Sequence, residues 1–275
     1  MKPIFATSAF VRVHEPLVLR GGRRVNVRLP VRYGLVIHPK FGPVLIDTGY
    51  TFHSSQGVQR SRLLRLYGAM LRSELNDAGQ PTSFLSAFGL TPADVCFVVV
   101  SHFHADHISG LSMFPNAQFI ASDAAWYRLR NRSMFGNLRH GIFPELIPAD
   151  FEDRMIGLSS LKRTSSLLAP AEGIDLFGDG TMIAIDLAGH ADGHFGVFFA
   201  TAHKPLFYGV DATWLLRAIS EDRAPGYPAR LIAINNAATR VSHRLLQHFL
   251  AARVELLLCH DPSPTAYDFT PGDGA

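Results

Sequence analysis

Four residues of metal-ligand type, His102, His104, Asp106 and His107, lie within one six-residue string in Ser101-His102-Phe103-His104-Ala105-Asp106-His107. Residues two apart in extended chain point to the same side, so His102 and His104 can share one ion. Asp106 and His107 follow where the chain turns and can face a second ion nearby. A His-x-His-x-Asp-His string rarely arises by chance and has a direct chemical reading. Two ions need further ligands, and the chain supplies them after apolar runs. His190 follows residues 183–187, Asp211 follows Phe207-Tyr208-Gly209-Val210, and His260 follows Leu256-Leu257-Leu258-Cys259. One site would hold His102, His104, His190 and Asp211; the other would hold Asp106, His107, His260 and the same bridging Asp211. Imidazole and carboxylate without thiolate suit zinc, with iron, manganese or cobalt as substitutes. Asp106 would also hydrogen-bond the attacking water and move its proton, making it the candidate catalytic residue.

These ligands need strands that end together at one rim. Residues 33–37 and 44–46 read as β-branched strands joined through Pro39-Lys40-Phe41-Gly42-Pro43. Further strands are expected at 95–100, 117–121, 182–187, 196–200, 205–208 and 254–258. Residues 59–75 carry apolar side chains at helical spacing, with Arg60, Arg62, Arg65 and Arg72 on the other positions, so a core-facing helix with a wet basic face is expected. Thr91 and Pro92 have the form of a helix start. The stretch 123–168, rich in Arg, Leu and aromatics, reads mainly as helices and as an insertion over the substrate pocket. Strands in two sets with helices between them predict an α/β fold with two mixed sheets packed face to face and helices outside.

The bulk numbers fit this picture. The 275 residues are 47% hydrophobic with a net charge of +3, and no linker or repeat divides them, so one domain over 1–275 is expected. The charge balance does not demand a nucleic-acid partner. Arg20-Gly21-Gly22-Arg23-Arg24, the densest basic cluster, reads as a solvated turn between apolar runs. Two cysteines, Cys96 and Cys259, are too few for a disulfide framework and read as buried thiols. Arg12, His14 and Glu15 interrupt any signal-peptide core, and no apolar run approaches a membrane span, so a cytoplasmic location is expected.

Taken together, Asp47 in Leu45-Ile46-Asp47-Thr48-Gly49, the His102–His107 string, Gly189-His190, Asp211 and His260 resemble the five ordered motifs of the metallo-β-lactamase superfamily, over residues 33–262. The resemblance implies an αβ/βα four-layer sandwich and a metal-bridging hydroxide as nucleophile. It implies that Asp47 orients a ligand without binding metal, in keeping with the outer partners that ligating histidines use. Family enzymes that hydrolyse β-lactams usually lack the bridging aspartate present here as Asp211, and iron-binding redox members carry Glu where this chain has His104. The likeness is strongest to N-acyl-homoserine lactonases, including the His190-Ala191-Asp192-Gly193-His194 spacing. The chain departs from that group at Trp214, three residues after Asp211, where those lactonases commonly carry tyrosine. His194 reads as a packing partner of the ligands.

The expected activity is opening of a lactone, or cleavage of an ester, of a hydrophobic small molecule. Trp126, Tyr127, Met134, Phe135, Phe143 and Trp214 are candidates for an apolar pocket wall. Two alternatives use the same residues: a phosphodiesterase or nuclease, for which Arg128, Arg130 and Arg132 are the candidate basic face, and a ligand-binding member without turnover. The expected partner is the small-molecule substrate, with no nucleic acid, no membrane, and a homodimer allowed.

Overall fold

The computed structural model describes residues 1–54, 60–165, 172–200, 204–227 and 233–272. The strands are β1 (Ile4–His14), β2 (Asn26–His38), β3 (Gly42–Ile46), β4 (Glu74–Leu75), β5 (Phe97–Val99), β6 (Gln118–Ala121), β7 (Met155–Gly157), β8 (Arg163–Ser165), β9 (Glu172–Asp175), β10 (Met182–Asp186), β11 (Phe195–Phe199), β12 (Leu206–Tyr208) and β13 (Glu255–Leu257). The α-helices are α1 (Glu15–Val18), α2 (Arg62–Leu71), α3 (Pro81–Ser86), α4 (Ala105–Ile108), α5 (Asp123–Asn131), α6 (Met134–Arg139), α7 (Leu216–Ser220) and α8 (Asn236–Ala251). One sheet has the order β4-β1-β2-β3-β5-β6-β7 and the other β13-β12-β11-β10-β9-β8. Both are mixed: β3, β5 and β6 run parallel while β1 and β2 are antiparallel, and β12 pairs parallel with β13 beside antiparallel neighbours.

The four layers follow from the two-residue period of the strands. In β3, Leu45 faces a core shared with Leu64, Phe84 and Leu129 of helices α2, α3 and α5. Its neighbours Val44 and Ile46 face the other way, against Met182, Val197, Phe199 and Tyr208 of the second sheet. On the far side of that sheet, Ile183, Phe198 and Phe207 pack on Leu246 and Phe249 of α8. Helices thus cover both outer faces of two packed sheets, as the sequence implies. Central strands such as β11 are buried on both faces, which is why Phe195–Phe199 is a nearly continuous apolar run.

Three readings change. Residues 59–75 form a helix only over Arg62–Leu71, which ends where Arg72 adopts φ 45°, and the chain then enters β4; residue 59 lies outside the described residues. Thr91 does cap a turn through a reciprocal box with Asp94, but that turn is a single 3₁₀ turn (Pro92–Asp94). The 123–168 stretch is helical in α5 and α6 and then supplies the strands β7 and β8; residues 166–168 lie outside the described residues. Both strands have three residues, too few for a period to be read from sequence. The basic cluster at 20–24 lies in the connection between antiparallel β1 and β2. Among the described residues no helix is long and apolar enough to cross a membrane.

Candidate active site

The ligand-type residues arrive from strand ends. Strand β5 delivers Ser101, His102 and His104, and α4 turns Asp106 and His107 in behind them. His190 follows β10, Asp211 follows β12 and His260 follows β13. Two of these connections need unusual backbone. Gly189 has φ 121°, and a Cβ there would stand 2.2 Å from the Thr239 amide nitrogen of α8. Val210, a β-branched residue, is held at φ 48° immediately before Asp211, a conformation costing on the order of 1–3 kcal/mol. Asp47 is likewise held at φ 60°.

All seven predicted ligands converge. One ligand atom each from His102, His104, His190 and Asp211 lie within 4.8 Å of one another, as do atoms from His107, Asp211, Cys259 and His260. Asp211 belongs to both groups. Its Oδ2 is 3.3 Å from Nε2 of His107 and of His190 and 3.9 Å from Nε2 of His102, while Oδ1 is 3.4 Å from Nε2 of His260. Asp106 joins the second group, its Oδ2 lying 3.7 Å from His107 Nε2 and 3.5 Å from His260 Nε2. Cys259 falls inside the same radius, yet its thiol donates to the Arg32 carbonyl at 3.4 Å and packs into the core between the sheets.

The donor set fits cations. Nε2 of His102 and of His107, and Oδ1 of Asp211, are buried without a hydrogen-bond partner among the described residues. Lone pairs left this way are costly unless a ligand takes them up. His104 Nδ1 and His190 Nε2 stand 3.0 Å apart and face the same point. All donors are nitrogen and carboxylate oxygen, the chemistry expected for zinc and its neighbours.

Outer contacts fix the imidazoles. Asp47 is fully buried; one oxygen accepts from the Ser101 amide at 2.8 Å, the other from Ser101 Oγ and His107 Nδ1, each at 2.8 Å. His260 Nδ1 donates to the Pro30 carbonyl at 2.7 Å. The loop beyond it is tied down by buried Arg32, which donates to the Asp261 and Ser263 carbonyls and pairs with Asp268 at 2.7 Å. His194 Nδ1 donates to the Leu187 carbonyl at 2.9 Å and its Nε2 faces the Asp211 amide at 3.4 Å, so it braces two ligand loops.

Burial and mutual repulsion push His102 and His104 well below the ordinary histidine pKa. At His107 burial also opposes charge, but Asp106, Asp211 and Asp47 outweigh it and raise its pKa well above the ordinary value. At His260 burial is outweighed by Cys259, Asp211 and Asp106, with the same result. Burial would raise Asp106; His107 and His260 hold it at about 2 instead. His194 falls to about 3 through burial and the adjacent His190.

A cleft of about 390 Å³ opens onto this cluster, reaching His104, Asp106, His190, Asp211 and His260. Its walls are Val11, Val13, Leu29 and Val31 of β1 and β2, Leu17 and Val18 of α1, Tyr67 and Leu71 of α2, and Trp214. Of the expected pocket residues, Trp214 lines the cleft, whereas Trp126, Tyr127 and Phe135 do not. Trp126 packs on Phe103 and Phe151 beneath α5, and Tyr127 and Phe135 are 69% and 76% exposed. Met134 and Phe143 line a separate groove on the helical face. The arginines at 128 and 132 share Asp192, and Arg130 pairs with Glu152, so two carboxylates offset most of the charge of these three arginines.

Sequence reasoning missed Tyr67. Its ring packs on Phe143 at 4.9 Å, and burial together with the Asp106 charge pushes its pKa up, keeping the phenol protonated. The helical period of α2 marked it as an apolar position, and nothing in that period separates a core ring from one facing a cleft.

A family model described as the metallo-beta-lactamase superfamily matches residues 29–205. The chain is 27% identical over 224 residues to an N-acyl homoserine lactonase AttM of Rhizobium radiobacter, covering 80% of this chain and 79% of the relative. It is 26% identical over 262 residues to the N-acyl homoserine lactonase AttM of Azorhizobium caulinodans, covering 91% and 89%. Among solved structures, an N-acyl homoserine lactone hydrolase with N-hexanoyl-L-homoserine at its catalytic metal center superposes with a TM-score of 0.67 at 15% identity, covering 95% of this chain and 93% of the other. AidC, a dizinc quorum-quenching lactonase, superposes with a TM-score of 0.67 at 16% identity, covering 95% and 88%. These structural likenesses establish the fold.

Proposed function

We propose that this chain, which belongs to the metallo-beta-lactamase superfamily, uses a dinuclear metal centre to hydrolyse a lactone or ester of a hydrophobic small molecule. The observation that carries the reading is the Asp211 carboxylate set between two histidine groups at the floor of an apolar cleft. His102, His104, His190 and Asp211 would hold one divalent ion; Asp106, His107, His260 and Asp211 would hold the other. Zinc suits the donors. Two such ions supply Lewis acidity toward a carbonyl oxygen and make water acidic enough, with a pKa near ~7, to attack at neutral pH.

The chain's own residues do the rest. Valine and leucine side chains of β1, β2 and α1 bind an acyl chain and exclude water from the reacting carbonyl. Asp106, whose side chain is 18% exposed and opens onto the cleft, takes the proton of the attacking water at Oδ2. The Tyr67 phenol is a neutral O–H donor on the cleft wall, suited to the carbonyl or the leaving oxygen, and Trp214 closes the side where lactonases of this family carry tyrosine. Asp47 holds His107 in the tautomer that presents Nε2 to the centre. The arginines on and just after α5 are drawn into pairs with Asp192 and Glu152, which leaves little free positive charge there for a nucleic-acid backbone.

The test is turnover of a panel of acyl lactones, aryl esters, thioesters and phosphodiesters by zinc-loaded protein. Lactone or ester hydrolysis that strengthens with acyl length supports the proposal. Turnover confined to phosphodiesters overturns it.

A further inference from the structure

Trp214 is a partition. One of its sides lines the apolar cleft; it also lines a second cavity of about 220 Å³ that reaches the same His190 and Asp211. This second cavity is also mainly apolar, but basic residues stand among its lining. Arg20 and Arg240 stand on its wall, with Thr213 and Asn236 beside them. Neither arginine has an acidic partner among the described residues, although nearby Arg23, Arg217 and Arg223 are held by Glu15 and Glu221. Thr213 is 3% exposed, and its Oγ1 has no hydrogen-bond partner among the described residues. A buried hydroxyl is costly to leave unpaired, so one that shares a cavity lining with two arginines lacking an acidic partner among the described residues points to an acceptor-rich, anionic ligand.

We propose that this pocket is a carboxylate-binding subsite, reached from the metal centre around Trp214. Two sources of carboxylate fit the geometry. The first rests on the hydrolase reading above. Water adds to the acyl carbon, the bond to the leaving oxygen breaks, and that oxygen keeps one proton. The acyl carbon departs as a carboxylate with release of the second proton, and it is formed beside His190 and Asp211, at the pocket's inner end. The second source is a carboxylate already borne by the substrate on the side away from its apolar tail. In both, guanidinium groups supply the planar, charge-assisted donors that a carboxylate accepts best.

The binding test needs no turnover. Zinc-loaded wild type and the double variant Arg20→Gln/Arg240→Gln are titrated calorimetrically with hexanoate and with neutral hexanamide. Both arginines are exposed, so the variant should fold; a matching melting curve checks this. The proposal predicts that hexanoate binding weakens tenfold or more in the variant and loses part of its salt dependence, while hexanamide is unaffected. Thr213→Val, which removes only the hydroxyl, should weaken hexanoate several-fold. Equal hexanoate affinity in wild type and both variants overturns the subsite and leaves the metals as the sole anion site. Kinetics then separate the sources. A raised inhibition constant for the product acid in the variant marks the product. A raised KM for a carboxylate-bearing ester relative to its methyl ester marks the substrate. If no lactone or ester is turned over but hexanoate binding depends on the arginines, the hydrolase reading fails and the subsite stands.

Discussion

Replacing Asp47 by asparagine tests how this centre is built more sharply than removing a ligand, because it changes one atom that touches no metal. The carboxylate accepts three hydrogen bonds, from the Ser101 amide, Ser101 Oγ and His107 Nδ1, each at 2.8 Å. In the Asp47→Asn variant the amide oxygen can keep the Ser101 N–H, which leaves the NH₂ group facing His107 Nδ1. Two donors then oppose each other. The imidazole escapes by moving its proton to Nε2, the atom that lies 3.3 Å from Asp211 and must carry a lone pair to bind metal. Loss of such an outer partner typically costs roughly 10–100-fold in metal affinity, or about 1.4–2.8 kcal/mol. The cost should fall on the site built from His107 and His260 and spare the one built from His102, His104 and His190. Competition titrations with a zinc chelator should therefore show one ion bound as in wild type and one weakened into that range. If both ions bind the variant with wild-type affinity, Asp47 does not set the His107 tautomer and the reasoning is wrong.

Other changes have equally definite outcomes. Tyr67→Phe keeps the cleft wall and removes the O–H; kcat on the preferred lactone or ester should fall roughly tenfold or more with KM little changed, as steady-state kinetics would reveal. Gly189→Ala places a Cβ 2.2 Å from a backbone nitrogen of α8, so denaturant unfolding should show a loss of more than ~2 kcal/mol. Zinc affinity should rise with pH. The carboxylates around His107 and His260 raise their pKa values, so these imidazoles hold protons to higher pH than a free histidine, metal has to displace those protons, and affinity should fall as pH drops. Calorimetry in buffers of different ionisation enthalpy should detect proton release at pH ~7, and none would mean these imidazoles are already neutral.

The ligands were legible because each rides on an apolar strand too hydrophobic to be anything else. The runs before His102, Asp211 and His260 become β5, β12 and β13 within a residue or two of the expected ends. The cleft was not legible. Part of its wall comes from β1, whose alternation is broken by a register shift between Thr7 and Ala9, so the two-residue period that announces a strand is lost in the sequence. The aromatic residues of α5 look equally suited to a pocket, but Ala125 and Leu129 fix the face of that helix that turns inward, and Trp126 follows them onto Phe151. Aromatic content says that a surface will be buried, not against what. The helix α8 was passed over for a related reason: its inward face is only Ser242, Leu246 and Phe249 among polar and small residues.

The central claim is that Asp211 bridges two ions in one cluster. Metal content per chain, measured by mass spectrometry on zinc-saturated, desalted protein, addresses it directly. The account predicts two ions in wild type and fewer than one tightly held ion in Asp211→Ala, since that carboxylate serves both histidine groups. Two ions retained by Asp211→Ala, or none in wild type, would contradict it.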